Sequence, residues 1–193
     1  MKERPIIMSA PMVRAILEGR KTQTRRLIKP TQQTEWLLNG KWTDDYIKDP
    51  GNELILYCPY GQVNDRLWLK ETWWCPQKGL PIAYKANLEP QQADKQIWKS
   101  SLFMPRWASR ILLEITEIRV ERLQEITNDD AKAEGIEPLV CGIGAGLLGK
   151  DGKPLGLACH YIRPYRELWD SLNGKKYPWV SNPWVWCISF KKE

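Results

Sequence analysis

The run Ser109–Leu123 limits the fold of this chain more tightly than any other segment. Its apolar residues alternate at the odd positions Ile111, Leu113 and Ile115, then move to the even positions Ile118 and Val120. Alternation with a period of two marks a strand with one face on a core. A change of phase within one strand needs one extra residue, so a bulge or sharp bend is expected near Thr116, as at the corner of a small barrel. Two more runs alternate. In Asp65–Trp74, Leu67, Leu69, Glu71 and Trp73 share one face, and Arg66, Trp68, Lys70 and Thr72 share the other. In Trp184–Phe190 the alternating set is Trp184, Trp186, Ile188 and Phe190. Shorter strands are expected at Leu54–Cys58 and Ile82–Lys85, and Leu27-Ile28 reads as a strand start.

Helical periodicity falls elsewhere. After Ser9 as N-cap and Pro11 in the first turn, Met12, Val13, Ile16 and Leu17 share a face, and Gly19 supplies a stop. Thr127–Glu134 reads as a short helix closed by Gly135. Tyr161–Leu172 reads as a longer one, with Tyr165, Leu168, Trp169 and Leu172 along one face before Asn173-Gly174. The elements do not alternate as βαβ units. They predict an α+β fold, a small, mainly antiparallel β-barrel with flanking helices. The length of 193 residues suits a single domain spanning 1–193, with polar or Pro- and Gly-rich insertions near 31–53, 75–105 and 138–158.

Several function classes drop out. The uncharged stretch Pro138–Gly149 carries four glycines in 12 residues, against the roughly 20 apolar residues of a membrane-crossing helix. The opening residues lack an apolar core of signal-peptide length, so a cytoplasmic protein with reduced thiols is expected. The five cysteines include no Cys-x-x-Cys pair, and there is one histidine. No metal site and no cofactor are expected from them. Gly144-Ala-Gly146-Leu-Leu-Gly149-Lys150 resembles a phosphate loop, but Asp151 stands where a hydroxyl must meet Mg²⁺, and Gly152 and Pro154 oppose the helix that must follow.

The net charge is +6, and Arg20, Lys21, Arg25, Arg26 and Lys29 lie within ten residues free of acid. Such a cluster suits a polyanion or forms a solvated basic face. Lys21 and Thr24, three apart, project to one side of a tight turn. A partly buried lysine among cations has a lowered pKa and can act as a base on a nearby hydroxyl. Glu71, on a face otherwise apolar, must be paired if it is buried, and Lys21 is the expected partner. An ordinary turn cap and salt bridge satisfy the same spacing.

The segment Gly19-x-Lys21-x-x-Thr24-x-Arg26 resembles the G-x-K-x-x-T-x-R signature of the ASCH domain, and Arg66-Leu-Trp-Leu-Lys-Glu71-Thr-Trp resembles its second landmark. From Ser9-Ala-Pro-Met to Asn182-Pro-Trp-Val-Trp-Cys-Ile the chain is similar to the longer ASCH proteins of tailed phages and prophages. The resemblance implies a PUA-like barrel, RNA or a modified nucleoside as partner, and a host cytoplasm if the chain is phage-encoded. It also implies a catalytic set of Lys21, Thr24 and Glu71 hydrolysing an N4-acylcytidine-type amide, or cleaving RNA. Arg20, Arg25, Arg26 and Lys29, with the stacking faces of Trp68 and Trp73, would bind the nucleic acid or substrate. Two departures stand out: Asn64-Asp65 replaces the usual Gly-Asp, and the compact enzymes lack the three insertions. A noncatalytic reader of RNA or modified bases, and an accessory protein binding a protein partner through the Trp-rich insertions, remain the alternatives.

Overall fold

The structure, a computed structural model, describes residues 1–29, 31, 34, 44–49, 53–77, 79–88, 97–140 and 159–193. The chain enters through β1 (Glu3–Ile7), α1 (Ala10–Leu17) and β2 (Gln23–Leu27), and a short α2 (Asp44–Lys48) follows. Next come β3 (Arg66–Lys70), the hairpin β4 (Trp73–Trp74) with β5 (Ala83–Tyr84), and the long β6 (Leu112–Arg122). The helix α3 (Asn128–Ala133), the pair β7 (Leu139–Val140) and β8 (Cys159–His160), α4 (Ile162–Asn173) and β9 (Trp184–Lys192) complete it. The phosphate-loop-like run at 144–151 lies outside the described residues.

Five strands form one sheet in the order β1-β3-β6-β9-β2. Every neighbouring pair is antiparallel except β1 with β3. The phase change in β6 is a bulge: the register against β9 skips between Ile115 and Glu117, leaving Thr116 as the extra residue. Ile115, Ile118 and Val120 consequently all face the interior, at 0%, 5% and 3% exposure.

The expected closed barrel is corrected. The sheet curls, but its edge strands β1 and β2 are not paired with each other. At this seam a side chain stands in for a ladder, as the Arg26 guanidinium of β2 donates to Ile7 O at the end of β1 (2.6 Å). The sequence reading had no β1. Five residues long, with Pro5 lacking an N–H, it is suited only to an edge. Leu54–Cys58 is also corrected: Glu53–Tyr57 is a 3₁₀ turn that buries Leu54 and Cys58, four apart as on a helix. The strand expected over Asp65–Trp74 breaks at Glu71-Thr72 into β3 and β4. Asn64 has φ +71°, the left-handed backbone that asparagine tolerates.

The main core fills the concave side of the sheet, where Ile6, Leu67, Leu69, Leu113, Trp186 and Ile188 pack with Val13 and Ile16 of α1. A second cluster lies on the other face of β9, with Val185 against Leu123, Ala131, Tyr165, Trp169 and Trp179. Covered on both sides, β9 is buried at every residue from Trp184 to Ile188. A third, smaller cluster gathers Trp73, Cys75, Met104 and Ala108. Among the described residues no helix is long and apolar enough to cross a membrane.

Candidate functional site

Alternation along β2 divides the basic cluster. Thr24 and Arg26 point to the concave face, and Gln23 and Arg25 to the other, with Cys187, Arg119 and Glu121 alongside. Arg25 and Arg26 therefore cannot act together on one phosphate. The Arg25 side chain is 0% exposed, bonded to Glu121 (2.8 Å) and Asp130 (3.2 Å), with Glu134 at 3.8 Å. The Gln23 amide fits between them with its oxygen 3.0 Å from Arg25 Nη1 and its nitrogen 3.2 Å from Asp130 Oδ1. Arg119 bonds to Glu121 (2.7 Å) and lies 3.5 Å from Asp130. Burial pushes the Cys187 thiol up to about 12, so it stays protonated beside both guanidinium groups.

Lys21 sits at the mouth of this lattice. Its Nζ donates to Gln23 O (2.7 Å), Glu134 O (2.9 Å) and Glu134 Oε2 (2.6 Å), which uses all three donors of an ammonium group. Burial pulls Lys21 below the ordinary lysine value, and the Glu134 carboxylate opposes the pull. The other Glu134 oxygen accepts from Arg25 N–H (2.5 Å). Three cations, Lys21, Arg25 and Arg119, thus meet the carboxylates of Glu121, Asp130 and Glu134, and Arg119 also bonds to the exposed Glu117, so every cation of the lattice is paired.

The expected pairing of Lys21 with Glu71 is corrected. Glu71 is buried, 1% exposed, but its partner is Arg110, which grips it through two bonds of 2.9 and 3.1 Å. Arg110 also bonds to Asn87 (2.9 Å) and lies 4.0 Å above the Tyr84 ring. Lys21 and Glu71 belong to two separate ion pairs.

The remaining expected binding residues scatter. Arg20 is exposed and bonded to Glu18 (2.5 Å), and Lys29 is exposed. Among the described residues, Arg26 and Lys29 are the members of the basic cluster without a carboxylate partner. Trp68 is half-buried on the convex side of β3 with Lys70 Nζ 5.5 Å from its ring. Trp73 is buried in the third cluster, edge-on to Trp107, and cannot offer a face to a base.

Two cavities touch the motif: a larger one of 490 Å³ is lined by Gly19, Arg20 and Thr22 with residues of α3, and a second lies beside Thr24. The second has a volume of 190 Å³ and runs along the outer edge of β2 beside Thr24, Arg25, Arg26 and Leu27. Glu134, Met12 of α1 and Tyr165, Leu168 and Trp169 of α4 complete its lining. The Thr24 hydroxyl carries no hydrogen bond to a described residue. Sequence reasoning had Tyr165, Leu168 and Trp169 as a helix face, and it missed Glu134 and Arg110. No spacing signal ties Glu134 to a lysine 113 positions earlier. No group of His, Cys, Asp and Glu among the described residues could hold a metal ion.

Two expectations follow for this region. Gly135 has φ +81°, and a Cβ there would lie 2.8 Å from Ala15 Cβ and 2.9 Å from Lys21 Cβ. Gly135→Ala should therefore cost more than the roughly 1 kcal/mol of left-handed strain alone, read as a lower urea midpoint. Asp130 feels burial, which raises its pKa, but the Thr127 backbone and hydroxyl bonds and the Arg25 charge outweigh it and hold the pKa below the usual carboxylate value. A lowered native pKa adds stability above the unfolded value, about 3.8, that is lost as pH falls through the native one. Melting measured from pH 7 to pH 2 should show a fall below about pH 4, and Asp130→Asn should make that limb shallower.

The whole is a mixed α+β domain with a small cavity at the open seam of its sheet. No protein-family model matches the chain, and no curated protein matches it. Among solved structures it is similar to the crystal structure of the ASCH domain from Lactobacillus crispatus JV V101, with 12% identity over 93% of this chain and 70% of that one, at a TM-score of 0.38.

Proposed function

We propose that this chain is an ASCH-type protein that recognises RNA or a modified nucleoside, one base entering the cavity beside Thr24. The signature Gly19-x-Lys21-x-x-Thr24-x-Arg26 supports the ASCH assignment. The cavity carries the functional reading. Its volume of 190 Å³ is below the roughly 300–1,000 Å³ of pockets for drug-sized ligands, room for one flat heterocycle. Aromatic and aliphatic walls suit the faces of a base, and the unbonded Thr24 hydroxyl suits its edge.

Recognition is favoured over hydrolysis by the bonding of Lys21 and Glu71. A lysine whose three protons already meet acceptors has no lone pair for a general base, and Glu71 is committed to Arg110. Because Lys21, Arg25 and Arg119 are each paired to carboxylates, base contacts outweigh phosphate contacts in this reading. Titration calorimetry with a short single-stranded RNA, cytidine, adenosine and N4-acetylcytidine should give binding without turnover. Leu168→Trp, which fills the cavity, should abolish it. Binding that survives Leu168→Trp would remove the cavity from the reading, and hydrolysis of N4-acetylcytidine lost in a folded Thr24→Val would restore the hydrolase.

A second reading, a protein partner at the insertion, is favoured by Ile97, Leu102, Phe103 and Trp107, which are 86%, 63%, 78% and 46% exposed. If a second copy of the chain covers this patch, sedimentation will give a dimer that Phe103→Asp splits.

A further inference from the structure

The outer edge of β2 holds an arrangement that neither the motif nor the lattice uses. The ladder to β9 is extended at its ends by Phe190 N–H donating to Thr22 O (2.8 Å) and Ile28 N–H donating to Trp184 O (3.0 Å). These rungs place the even-numbered residues of β2 in the bonded pairs, because bonded and non-bonded pairs alternate in an antiparallel ladder. Gln23, Arg25 and Leu27 then turn their backbone groups away from β9. Lys21 Nζ donating to Gln23 O and Arg25 N–H donating to Glu134 Oε1 confirm this direction. Beyond those two bonds, Arg25 O and Leu27 N–H have no partner among the described residues, and both residues line the cavity.

We propose that Arg25 O and Leu27 N–H read the hydrogen-bonding edge of a base with an amino group beside a ring-nitrogen acceptor, as cytosine and adenine have. The proposal rests on the nucleoside reading above. A carbonyl and an N–H two residues apart on an extended strand point the same way, one accepting and one donating. A base meeting them lies in the plane of the sheet, as a further rung would. The apolar residues lining the same cavity, Met12 of α1 and Tyr165 and Trp169 of α4, suit its faces. Glu134 lies at the Arg25 end, where its carboxylate accepts the second proton of an exocyclic amine. The same carboxylate repels the carbonyl of uracil. An added peptide strand is disfavoured, because Lys21 and Glu134 already occupy the preceding rungs and leave only two groups free.

The test is calorimetric titration of the full chain with cytidine, adenosine, uridine, 3-deazacytidine and N4,N4-dimethylcytidine. Cytidine or adenosine should bind at least about tenfold more tightly than uridine. Loss of the ring acceptor or of the amino protons from cytidine should weaken binding by about the same factor. Leu27→Pro deletes the donor at an edge position whose N–H faces out of the ladder. It should equalise cytidine and 3-deazacytidine, whereas Leu27→Ala should keep the difference. If Leu27→Pro fails to fold, the analogue series decides alone. Equal binding of uridine, or indifference to both cytidine analogues, overturns the inference. Binding of RNA but of no nucleoside overturns it and leaves the proposed function standing. If neither RNA nor any nucleoside binds, both fall, and a β-strand peptide that binds in their place identifies the edge as a peptide site.

Discussion

Lys21→Ala should lower stability by about 3–5 kcal/mol, the range for removing one partner of a buried ion pair. For a domain of this size that is a fall in Tm of roughly 6–20 °C. Lys21 is 0% exposed, and without it Glu134 keeps the Arg25 N–H but loses its nearest cation. The double change Lys21→Met with Glu134→Leu should recover much of the loss, because apolar replacements remove both desolvation costs together. Differential scanning calorimetry of the single and double variants measures this. An unchanged Tm in Lys21→Ala would mean that the ammonium serves chemistry and not the fold, and the hydrolase reading would return.

Arg110→Ala should be nearly as damaging, again about 3–5 kcal/mol, because it leaves Glu71 buried without its cation. Arg110→Lys should rescue only part, since an ammonium cannot reproduce the two parallel bonds of the guanidinium. Urea unfolding of the two variants, beside RNA binding by the same samples, separates the roles. Lost stability with unchanged affinity in the folded fraction makes Glu71–Arg110 a strut. The converse pattern would return Glu71 to the site.

Where burial on one face dictates a period of two, the fold was legible: β6 and β9 stand near their expected bounds, β3 fills the first half of its expected run, and the change of phase located the bulge at Thr116. The helix α4 was legible for the matching reason, a 3.6-residue stripe with a stop at Asn173-Gly174, and α3 through its closing Gly135. β1 was hidden because Glu3, Arg4 and Pro5 carry no apolar alternation, and its pairing with β3 reaches across some sixty residues to Arg66. At the candidate site the local parts were visible and the partners were not. Thr24 of the signature lines the cavity, and alternation along Asp65–Trp74 predicted that Glu71 is buried. Which carboxylate meets which cation depends on how α3 and the start of β6 fold back, and spacing along the chain carries no trace of that.

The place of β9 in the sheet bears on how the chain reaches this state. β9 pairs with β2 from a distant part of the sequence, Gln23 opposite Ser189 and Arg25 opposite Cys187. Closing so long a loop costs chain entropy before any rung repays it, which slows assembly in proteins built on distant pairings. Without β9, β6 and β2 each lack a neighbour, and Arg25 has no Cys187 opposite it. The ion lattice and the cavity edge thus both depend on a pairing that spans most of the sequence.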